Sequence, residues 1–268
     1  MSLKLIMLGT GHAMVTQCYN TCFAIENNGE YFLVDAGGGN GIMSQLEKAE
    51  IPYNSIRNMF VTHGHTDHIL GVIWMIRKVA ALMSNDKYKG EFNIYCHDVS
   101  AVIIKTFCKM TLTPKLLKIM NERIHINEVA DGFNKCINGI DISFFDIKST
   151  KDKQFGFSGI LPNGKKLVCL GDEPYNKDNI DYMENIDYLL SEAYCLYEEK
   201  DKFKPYDKNH STAFDAGKLA QSLNVKNLIL YHTEDSNLKE RKARYTREAK
   251  IQFNGNVYVP DDLEVIQL

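Results

Sequence analysis

Apolar residues recur along the chain in two spacings, and the alternation between them predicts the elements of the fold. Runs of about four to eight apolar residues bounded by turn residues indicate strands, whereas apolar positions three and four residues apart indicate helices. Residues 3–8, 22–26, 31–34 and 58–61 are predicted strands, and residues 41–49 and 67–80 are predicted helices. Pro52 ends any continuation of the first helix.

The remainder of the chain repeats this arrangement. Residues 92–96, 123–127, 140–145, 155–161, 165–170, 188–190, 227–230 and 263–266 are predicted strands, and residues 100–109, 114–121, 212–223 and 238–250 are predicted helices. Pro162-Asn163-Gly164 predicts a tight hairpin turn in which Asn163 and Gly164 adopt positive φ angles. Strands followed by helices, twice in succession, fit an α/β (α+β) fold of two packed β-sheets with helices outside each.

Composition narrows the class of protein. With 268 residues, of which 44% are hydrophobic and 24% charged, the chain can bury a sizeable core, and we expect one domain over residues 1–268. The apolar runs are strand-sized, far below the roughly 18 residues that a membrane span requires, so no membrane partner is expected. The sequence before Gly9 has no small-residue cleavage site, which argues against a secretory signal.

The cysteines and the net charge narrow the class of protein further. The seven cysteines are odd in number and scattered through apolar stretches, as expected of reduced thiols in a cytoplasmic protein. The net charge is -3 with both signs interspersed, so the chain lacks the basic footprint of a dedicated nucleic-acid binder.

One segment carries an unusual density of side chains that bind metals. Residues 62–68 read Thr-His-Gly-His-Thr-Asp-His, and the metal-binding types among them are His63, His65, Asp67 and His68. Imidazole nitrogens and carboxylate oxygens suit zinc, iron or manganese, and Gly64 lets the backbone turn tightly enough for alternate side chains to converge. A solvated polar loop is the alternative, which such density disfavours, so we predict a metal site built around this segment.

The pattern His-x-His-x-Asp-His after a strand resembles that of the metallo-beta-lactamase superfamily. Further motifs of that superfamily follow in its order and approximate spacing: Leu8-Gly9-Thr10-Gly11, Val34-Asp35-Ala36-Gly37, Leu170-Gly171-Asp172 and Tyr231-His232-Thr233. Ser191-Glu192-Ala193 and His210-Ser211-Thr212 look like elements of its ribonuclease Z branch. The resemblance implies a metallo-beta-lactamase-like αββα four-layer sandwich, with two mixed β-sheets and helices on the outer faces.

The resemblance also implies a set of metal ligands. His63 and His65 would bind a first ion, Asp67, His68 and His232 a second, and Asp172 would bridge both. Two cations held this way would acidify a water enough to supply metal-bound hydroxide near neutral pH. Taken without the motifs, Asp172 would be an ordinary turn residue and His232 a structural one.

Three further side chains would serve the chemistry. Asp67 would orient the nucleophile, and His210 would protonate the leaving alkoxide or stabilise charge on a phosphoryl oxygen, with Glu192 fixing its tautomer. Alternatively, Ser211 and Thr212 only cap a helix and His210 is incidental. Asp35 is expected to support the site by hydrogen bonding to a ligand or to the loop.

The chain departs from the family pattern in the first metal site. The family supplies a further metal-binding His before a Gly-aromatic pair, here Gly156-Phe157, but residues 148–152 contain no His and Thr150 lies nearest the expected position. Water or a nearby residue such as Asp152 would fill this place, or the site would stay empty. We therefore expect one or two divalent ions, zinc first, with manganese or iron as alternatives.

A second departure bears on the substrate. Many ribonuclease Z enzymes carry a long arm that grips transfer RNA, but here the corresponding region holds only the hairpin at Asn163-Gly164. Because affinity for a phosphate backbone depends on clustered Lys and Arg, a short hairpin in a mildly acidic protein disfavours RNA as the substrate. The resemblance also implies a homodimer.

The resemblance to the ribonuclease Z branch implies a metal-dependent hydrolase that acts as a phosphodiesterase, and the missing arm indicates a small substrate. Hydrolysis of another ester, such as a sulfate, lactone or thioester, is an alternative because the same nucleophile suits several electrophiles. A catalytically degenerate scaffold that binds metal or ligand is a second alternative, motivated by the missing His. His12, His97 and His125 match no ligand position and are expected to be structural.

Overall fold

The computed structural model describes residues 3–268. The strands are β1 (Leu3–Gly9), β2 (Cys22–Asn27), β3 (Glu30–Val34), β4 (Ile56–Val61), β5 (Phe92–Cys96), β6 (Ile124–Glu128), β7 (Asn134–Ile137), β8 (Ile140–Asp146), β9 (Phe155–Ile160), β10 (Lys166–Cys169), β11 (Tyr188–Glu192), β12 (Asn227–Tyr231), β13 (Asn256–Tyr258) and β14 (Val265–Gln267). The α-helices are α1 (Gly41–Lys48), α2 (Thr66–Ser84), α3 (Asp98–Thr111), α4 (Pro114–Arg123), α5 (Lys200–Phe203), α6 (Ala213–Ser222) and α7 (Leu238–Ala249). Short 3₁₀ helices cover Tyr53–Ser55, Lys177–Tyr182, Tyr197–Glu199 and Tyr206–Lys208.

The chain divides into two compact units. Unit 1 comprises residues 3–9, Tyr19–Val129 and Asp262–Leu268, and unit 2 comprises Thr10–Cys18 and Ala130–Asp261. Each unit contains one seven-stranded mixed β-sheet with helices of its own. The predicted pair of mixed sheets is therefore present, while the single domain over residues 1–268 stays a prediction.

Unit 1 is built on the sheet β14-β1-β2-β3-β4-β5-β6. The strands from β14 to β3 pair antiparallel, and those from β3 to β6 pair parallel. Parallel neighbours need crossover connections, and α1, α2 and the pair α3–α4 supply them. The buried faces of these helices and strands form one continuous apolar core, to which Leu33, Met59, Val72 and Ile94 belong.

Helix α2 holds the first site motif in place. Its residues Ile69, Val72, Ile76 and Val79 are buried at helical spacing, so one face of α2 belongs to the core of unit 1. At Gly71 an added Cβ would lie 1.8 Å from the carbonyl oxygen of Ala36. Only glycine permits this close approach, which fixes the start of α2 against the loop that follows β3.

Unit 2 is built on the sheet β13-β12-β11-β10-β9-β8-β7. Here the strands from β13 to β10 pair parallel, and those from β10 to β7 pair antiparallel. The carboxyl ends of β10, β11 and β12 therefore meet at one edge of the sheet. Helix α6 begins with a capping box, in which Thr212 Oγ1 accepts a hydrogen bond from the Asp215 backbone N–H at 3.3 Å and Asp215 Oδ2 accepts one from the Thr212 N–H at 3.1 Å.

The predicted hairpin between β9 and β10 is present, with a different turn. The Gly164 N–H donates to the Leu161 carbonyl at 2.8 Å, and the Leu161 N–H donates to the Lys165 carbonyl at 2.8 Å. Only Gly164 has a positive φ, 80°, so the positive φ predicted for Asn163 is wrong. Pro162 fixes a negative φ at the first turn position, which favours an ordinary turn followed by a left-handed glycine.

Two strands were not predicted. Strand β7 is exposed at Asn134, Lys135 and Cys136, and β13 has only three residues. Both lie at the edges of the unit 2 sheet, where no buried face imposes an alternating pattern on the sequence. None of the seven cysteines, all within residues 3–268, forms a disulfide bond. Within the same residues, no helix has the length and apolar character needed to cross a bilayer.

Candidate metal centre

The His motif of unit 1 gathers its side chains at the start of α2. His63 and His65 follow β4, and His65 is the residue that precedes α2. The ring centroid of His63 lies 4.4 Å from that of His65 and 4.2 Å from that of His68. His63, Asp67 and His68 are buried, and His65 is half-buried. The three imidazoles of the motif therefore lie close together within unit 1.

Asp35 orients one of these imidazoles. It follows β3 with a φ of 55°, and its carboxylate accepts hydrogen bonds from the Thr62 N–H at 2.8 Å, the Thr62 hydroxyl at 2.7 Å and His68 Nδ1 at 2.8 Å. Because a carboxylate only accepts, His68 carries its proton on Nδ1. Nε2 of His68 is thereby presented as a ligand atom, which is the usual role of a carboxylate behind a metal-binding His.

The surroundings of His68 favour positive charge. Burial lowers the pKa of His68, but the carboxylates of Asp67 and Asp35 outweigh that effect and raise it well above its usual value. Nε2 of His68 lies 3.4 Å from Asp67 Oδ2. A buried position flanked by two carboxylates attracts a cation, and a divalent metal ion satisfies the same electrostatic demand.

A second cluster lies in unit 2. Asp172, His210 and His232 are buried, and each offers a ligand atom that lies within 4.8 Å of the other two. Asp172 follows β10 after Gly171, and His232 follows β12. The parallel order of β10, β11 and β12 brings these strand ends to one edge of the sheet, which places both side chains together. His210 reaches them from the loop before α6.

The backbone is strained at the clustered residues. His232 has a φ of 56° and Asn209, directly before His210, a φ of 53°. A side chain other than glycine adopts this left-handed region at a cost of about 1–3 kcal/mol, and such residues cluster at functional sites. Asp35, directly after β3, also has a positive φ, of 55°. The residues that follow β3 and β12 and the residue before His210 therefore adopt backbone conformations that the surrounding structure must stabilise.

Glu192 lies behind His210. Its Oε2 is 3.6 Å from His210 Nδ1, and its carboxylate accepts hydrogen bonds from the backbone N–H groups of Ser211 at 2.6 Å and Tyr194 at 3.1 Å. Burial raises the pKa of Glu192, and nearby His210 and Ser211 offset this only in part. Burial lowers the pKa of His210, but the Glu192 carboxylate has the larger combined effect, so the pKa of His210 is raised above its usual value.

The region where a further His was expected is organised by Glu173, which the sequence analysis missed. Glu173 Oε1 accepts hydrogen bonds from the Ser149 hydroxyl at 2.7 Å and Gln154 Nε2 at 3.0 Å, and lies 3.8 Å from Lys151 Nζ. The groups of described residues that could hold a metal ion contain neither Asp152 nor Glu173. The one sequence feature that could have indicated this role of Glu173 is its position directly after Asp172.

The three histidines set aside from the sequence lie in different settings. His97 is buried and accepts a hydrogen bond from the Ser100 N–H at the start of α3. His125 lies 3.3 Å from Glu91, and its side chain is 39% exposed. Both fit the structural role expected of them. His12 is buried, lies 3.3 Å from Glu234, and places its ring centroid 6.3 Å from that of His232.

The donor set fits a divalent metal ion. Both clusters consist of imidazoles and carboxylates, all of them buried except half-buried His65, and these are the ligand types of zinc, iron and manganese in proteins. Buried charges and imidazoles at this density are costly unless they are paired or coordinate a cation. The two clusters therefore have the chemistry of a metal centre.

The chain is similar to known proteins over nearly its whole length. A family model described as "Anti-Pycsar protein Apyc1" matches residues 3–254. Ribonuclease Z of Archaeoglobus fulgidus is 24% identical over 97% of this chain and 96% of that protein. Ribonuclease Z of Nitrosopumilus maritimus is 26% identical over 98% of this chain and 99% of that protein.

Solved structures show the same fold. The metallo-beta-lactamase fold protein YhfI from Bacillus subtilis has a TM-score of 0.81 at 18% identity and covers 100% of both chains. Human tRNase Z, short form, has a TM-score of 0.74 at 20% identity over 98% of both chains. A diphosphatase from the PhnP family has a TM-score of 0.74 at 15% identity over 100% of this chain and 98% of its own. The predicted fold and the likeness to ribonuclease Z are confirmed.

Proposed function

Because this chain belongs to the Anti-Pycsar protein Apyc1 family and has the metallo-beta-lactamase fold, we propose that it is a metal-dependent phosphodiesterase with a small substrate. The observation that carries the proposal is the buried cluster of Asp172, His210 and His232, whose ligand atoms lie within 4.8 Å of one another. In this cluster the proposed metal ligands Asp172 and His232 lie beside His210, whose imidazole faces the Glu192 carboxylate.

By the family pattern, one ion would be held by His63, His65 and Asp172, and a second by Asp67, His68, Asp172 and His232. The first set has one protein ligand fewer, so a centre with a single ion in the second set is the alternative. A divalent ion bound there would supply Lewis acidity and would acidify water, which is the chemistry that ester hydrolysis needs.

His210 is proposed to hold the proton for the leaving group. Its Nδ1 faces the Glu192 carboxylate at 3.6 Å, so Nε2 is the nitrogen that remains to act. An imidazolium at this place would donate its Nε2 proton to a departing alkoxide or stabilise negative charge on a phosphoryl oxygen. Asp67 is proposed to orient the attacking water, because its carboxylate is buried within the His motif.

A small substrate is favoured over a large RNA. The hairpin between β9 and β10 spans only a short turn, and the chain carries a net charge of -3. Neither feature supplies the clustered cations that hold a nucleic-acid backbone. The likeness to a ribonuclease and a diphosphatase supports chemistry at phosphorus, and hydrolysis of a sulfate, lactone or thioester is the competing outcome. The cytoplasmic location and the homodimer stay predictions.

Two measurements test the proposal. Elemental analysis of protein purified without chelator is expected to find at least about one zinc, manganese or iron per chain, and less than about half an ion would contradict it. Hydrolysis is then compared for bis(p-nitrophenyl) phosphate, cyclic nucleotides, a sulfate ester, a lactone, a thioester and precursor transfer RNA.

The variant that tests whether turnover depends on the proposed centre is Asp67→Ala. The matched control is Asp201→Ala, because Asp201 is an exposed residue of α5. Asp67→Ala is expected to lower turnover of the phosphodiesters by about 100-fold or more, because it removes a ligand and the group that orients water. Asp201→Ala is expected to retain it. Preferred turnover of a different ester would favour the competing hydrolase, and the absence of any turnover that depends on Asp67 would favour a scaffold without activity.

A further inference from the structure

Three aromatic rings lie close together in unit 2. The ring centroid of Tyr194 lies 4.8 Å from that of His210, on which it stacks, and 4.5 Å from that of His12, whose plane is tilted by 36°. The planes of Tyr194 and His210 differ by only 11°. The ring of His210 in turn lies 5.4 Å from that of His232. The stack therefore ends at the candidate metal ligands.

Tyr194 is held at three points. Its backbone N–H donates to Glu192 Oε2 at 3.1 Å, and its carbonyl accepts from the Glu234 N–H at 2.8 Å. Its hydroxyl accepts a hydrogen bond from Lys208 Nζ at 2.9 Å. The side chain is buried, and His12, held by Glu234 at 3.3 Å, lies against it. A ring fixed at both ends and backed on one face cannot tilt without breaking these contacts.

His210 needs this support. The distance of 3.6 Å between its Nδ1 and Glu192 Oε2 is too long for a well-formed hydrogen bond, so the carboxylate alone does not fix the plane of the imidazole. The residue before it, Asn209, is in the left-handed region at a φ of 53°, which places His210 at the end of a sharp turn. The near-parallel face of Tyr194 supplies the missing constraint.

We propose that Tyr194 is the positioning residue for His210, and that it fixes the plane of the imidazole by stacking, with His12 as its backing ring. The kinetic consequence rests on the proposed function. A misplacement of about 1 Å at a reacting group can cost 10²-fold in rate, because the proton must be delivered along a defined direction. The role requires the ring of Tyr194 and not its hydroxyl.

Two substitutions separate ring from hydroxyl. Tyr194→Phe keeps the ring and is expected to retain kcat within about threefold, whereas Tyr194→Leu removes it and is expected to lower kcat by about 10- to 100-fold with KM nearly unchanged. Tyr197→Leu is the matched control, because Tyr197 is 41% exposed in the same unit. Circular dichroism and thermal unfolding establish that each variant is folded.

A double-mutant cycle with His210→Ala distinguishes positioning from a general structural role. If Tyr194 acts through His210, Tyr194→Leu lowers kcat no further in the His210→Ala protein. An equal loss of kcat in both backgrounds would overturn the proposal. So would a Tyr194→Phe protein as impaired as Tyr194→Leu.

A measurement without turnover keeps the proposal independent of the proposed function. In ¹⁵N-labelled histidine spectra, the ring protons of His210 are expected upfield in the wild type and in Tyr194→Phe, because the face of an aromatic ring shields them. Tyr194→Leu is expected to remove that shift. If no ester is hydrolysed, the proposed function fails, and unchanged His210 signals in Tyr194→Leu would separately overturn the positioning role. Where Tyr194→Leu does not fold, His12→Leu replaces it, with a smaller shift of the His210 signals expected and an unchanged spectrum counting against the role.

Discussion

Replacing Asp35 by Asn is expected to weaken metal binding without removing any proposed ligand. The Asp35 carboxylate accepts three hydrogen bonds, two from Thr62 and one from His68 Nδ1 at 2.8 Å. An asparagine amide has one oxygen, so when that oxygen keeps the Thr62 N–H, its NH₂ group faces His68. The imidazole then has to accept at Nδ1 and carries its proton on Nε2, the atom proposed to bind the metal.

The size of the effect follows from this change of tautomer. Loss of a partner that orients a metal-binding His typically lowers affinity by about 10- to 100-fold, which corresponds to about 1.4–2.8 kcal/mol of binding free energy. Because Asp35 is 3% exposed, the loss of a charged hydrogen bond is also expected to lower the free energy of unfolding of the metal-free protein by about 1.5–3 kcal/mol.

The assay is a competition titration of Zn²⁺ between the protein and a chromophoric chelator at pH 7, paired with urea unfolding of the metal-free protein. Asp201→Asn, an exposed aspartate on α5, is the matched control and is expected to change neither quantity. Zinc affinity within about twofold of wild type in a folded Asp35→Asn protein would refute the reasoning, because it would mean that His68 does not depend on Asp35 for its tautomer.

Three further outcomes are expected. Gly71→Ala places a Cβ 1.8 Å from the Ala36 carbonyl oxygen, whereas a Cβ at Gly39 meets nothing within 4 Å. Urea unfolding should therefore show that Gly71→Ala lowers the free energy of unfolding by about 3 kcal/mol or more, and that the control Gly39→Ala changes it by no more than about 0.5 kcal/mol. Burial raises the pKa of Asp187, but the Lys226 ammonium and a backbone N–H have the larger combined effect and hold this pKa below its usual value. Asp187 therefore stabilises the fold at neutral pH, and Asp187→Asn should cost about 1 kcal/mol or less at pH 7. This deficit should shrink as the pH falls through the lowered pKa of Asp187, and a deficit of constant size in acid would refute the assignment. Removal of metal by a chelator should lower the midpoint of thermal unfolding, and an unchanged midpoint would show that metal binding is not linked to folding.

The first cluster of candidate ligands could be predicted because its residues lie close together in the sequence, whereas Asp172, His210 and His232 are indicated only by the family resemblance. His63, His65, Asp67 and His68 fall within six positions between β4 and α2, and their residue types alone indicate a metal. Apolar periodicity likewise predicts β5 at residues 92–96, places both ends of α6 within one residue of their observed positions, and places the start of α2 within one residue, although α2 continues four residues beyond its predicted end. The sequence Asn163-Gly164 predicts the hairpin before β10, which is present, although only Gly164 has the positive φ expected of both residues.

Features that depend on contacts distant in sequence were missed. Tyr194 has no local pattern that distinguishes it from other buried tyrosines, and its stacking on His12 joins residues far apart in the chain. Glu173 gains its role from Ser149 and Asn209, which no spacing rule connects. The edge strand β7 lacks a buried face, so neither hydrophobic period marks it.

The sequence by itself determined which residues have the chemistry of a metal site, because residue type and close spacing are properties of the chain. The tertiary structure decided how His210 and His232 are oriented, because the order of parallel strands and the left-handed φ of 56° at His232 are set by packing over long sequence distances. Propensity and periodicity act over a few residues, whereas a ring plane is fixed by neighbours that only folding brings together.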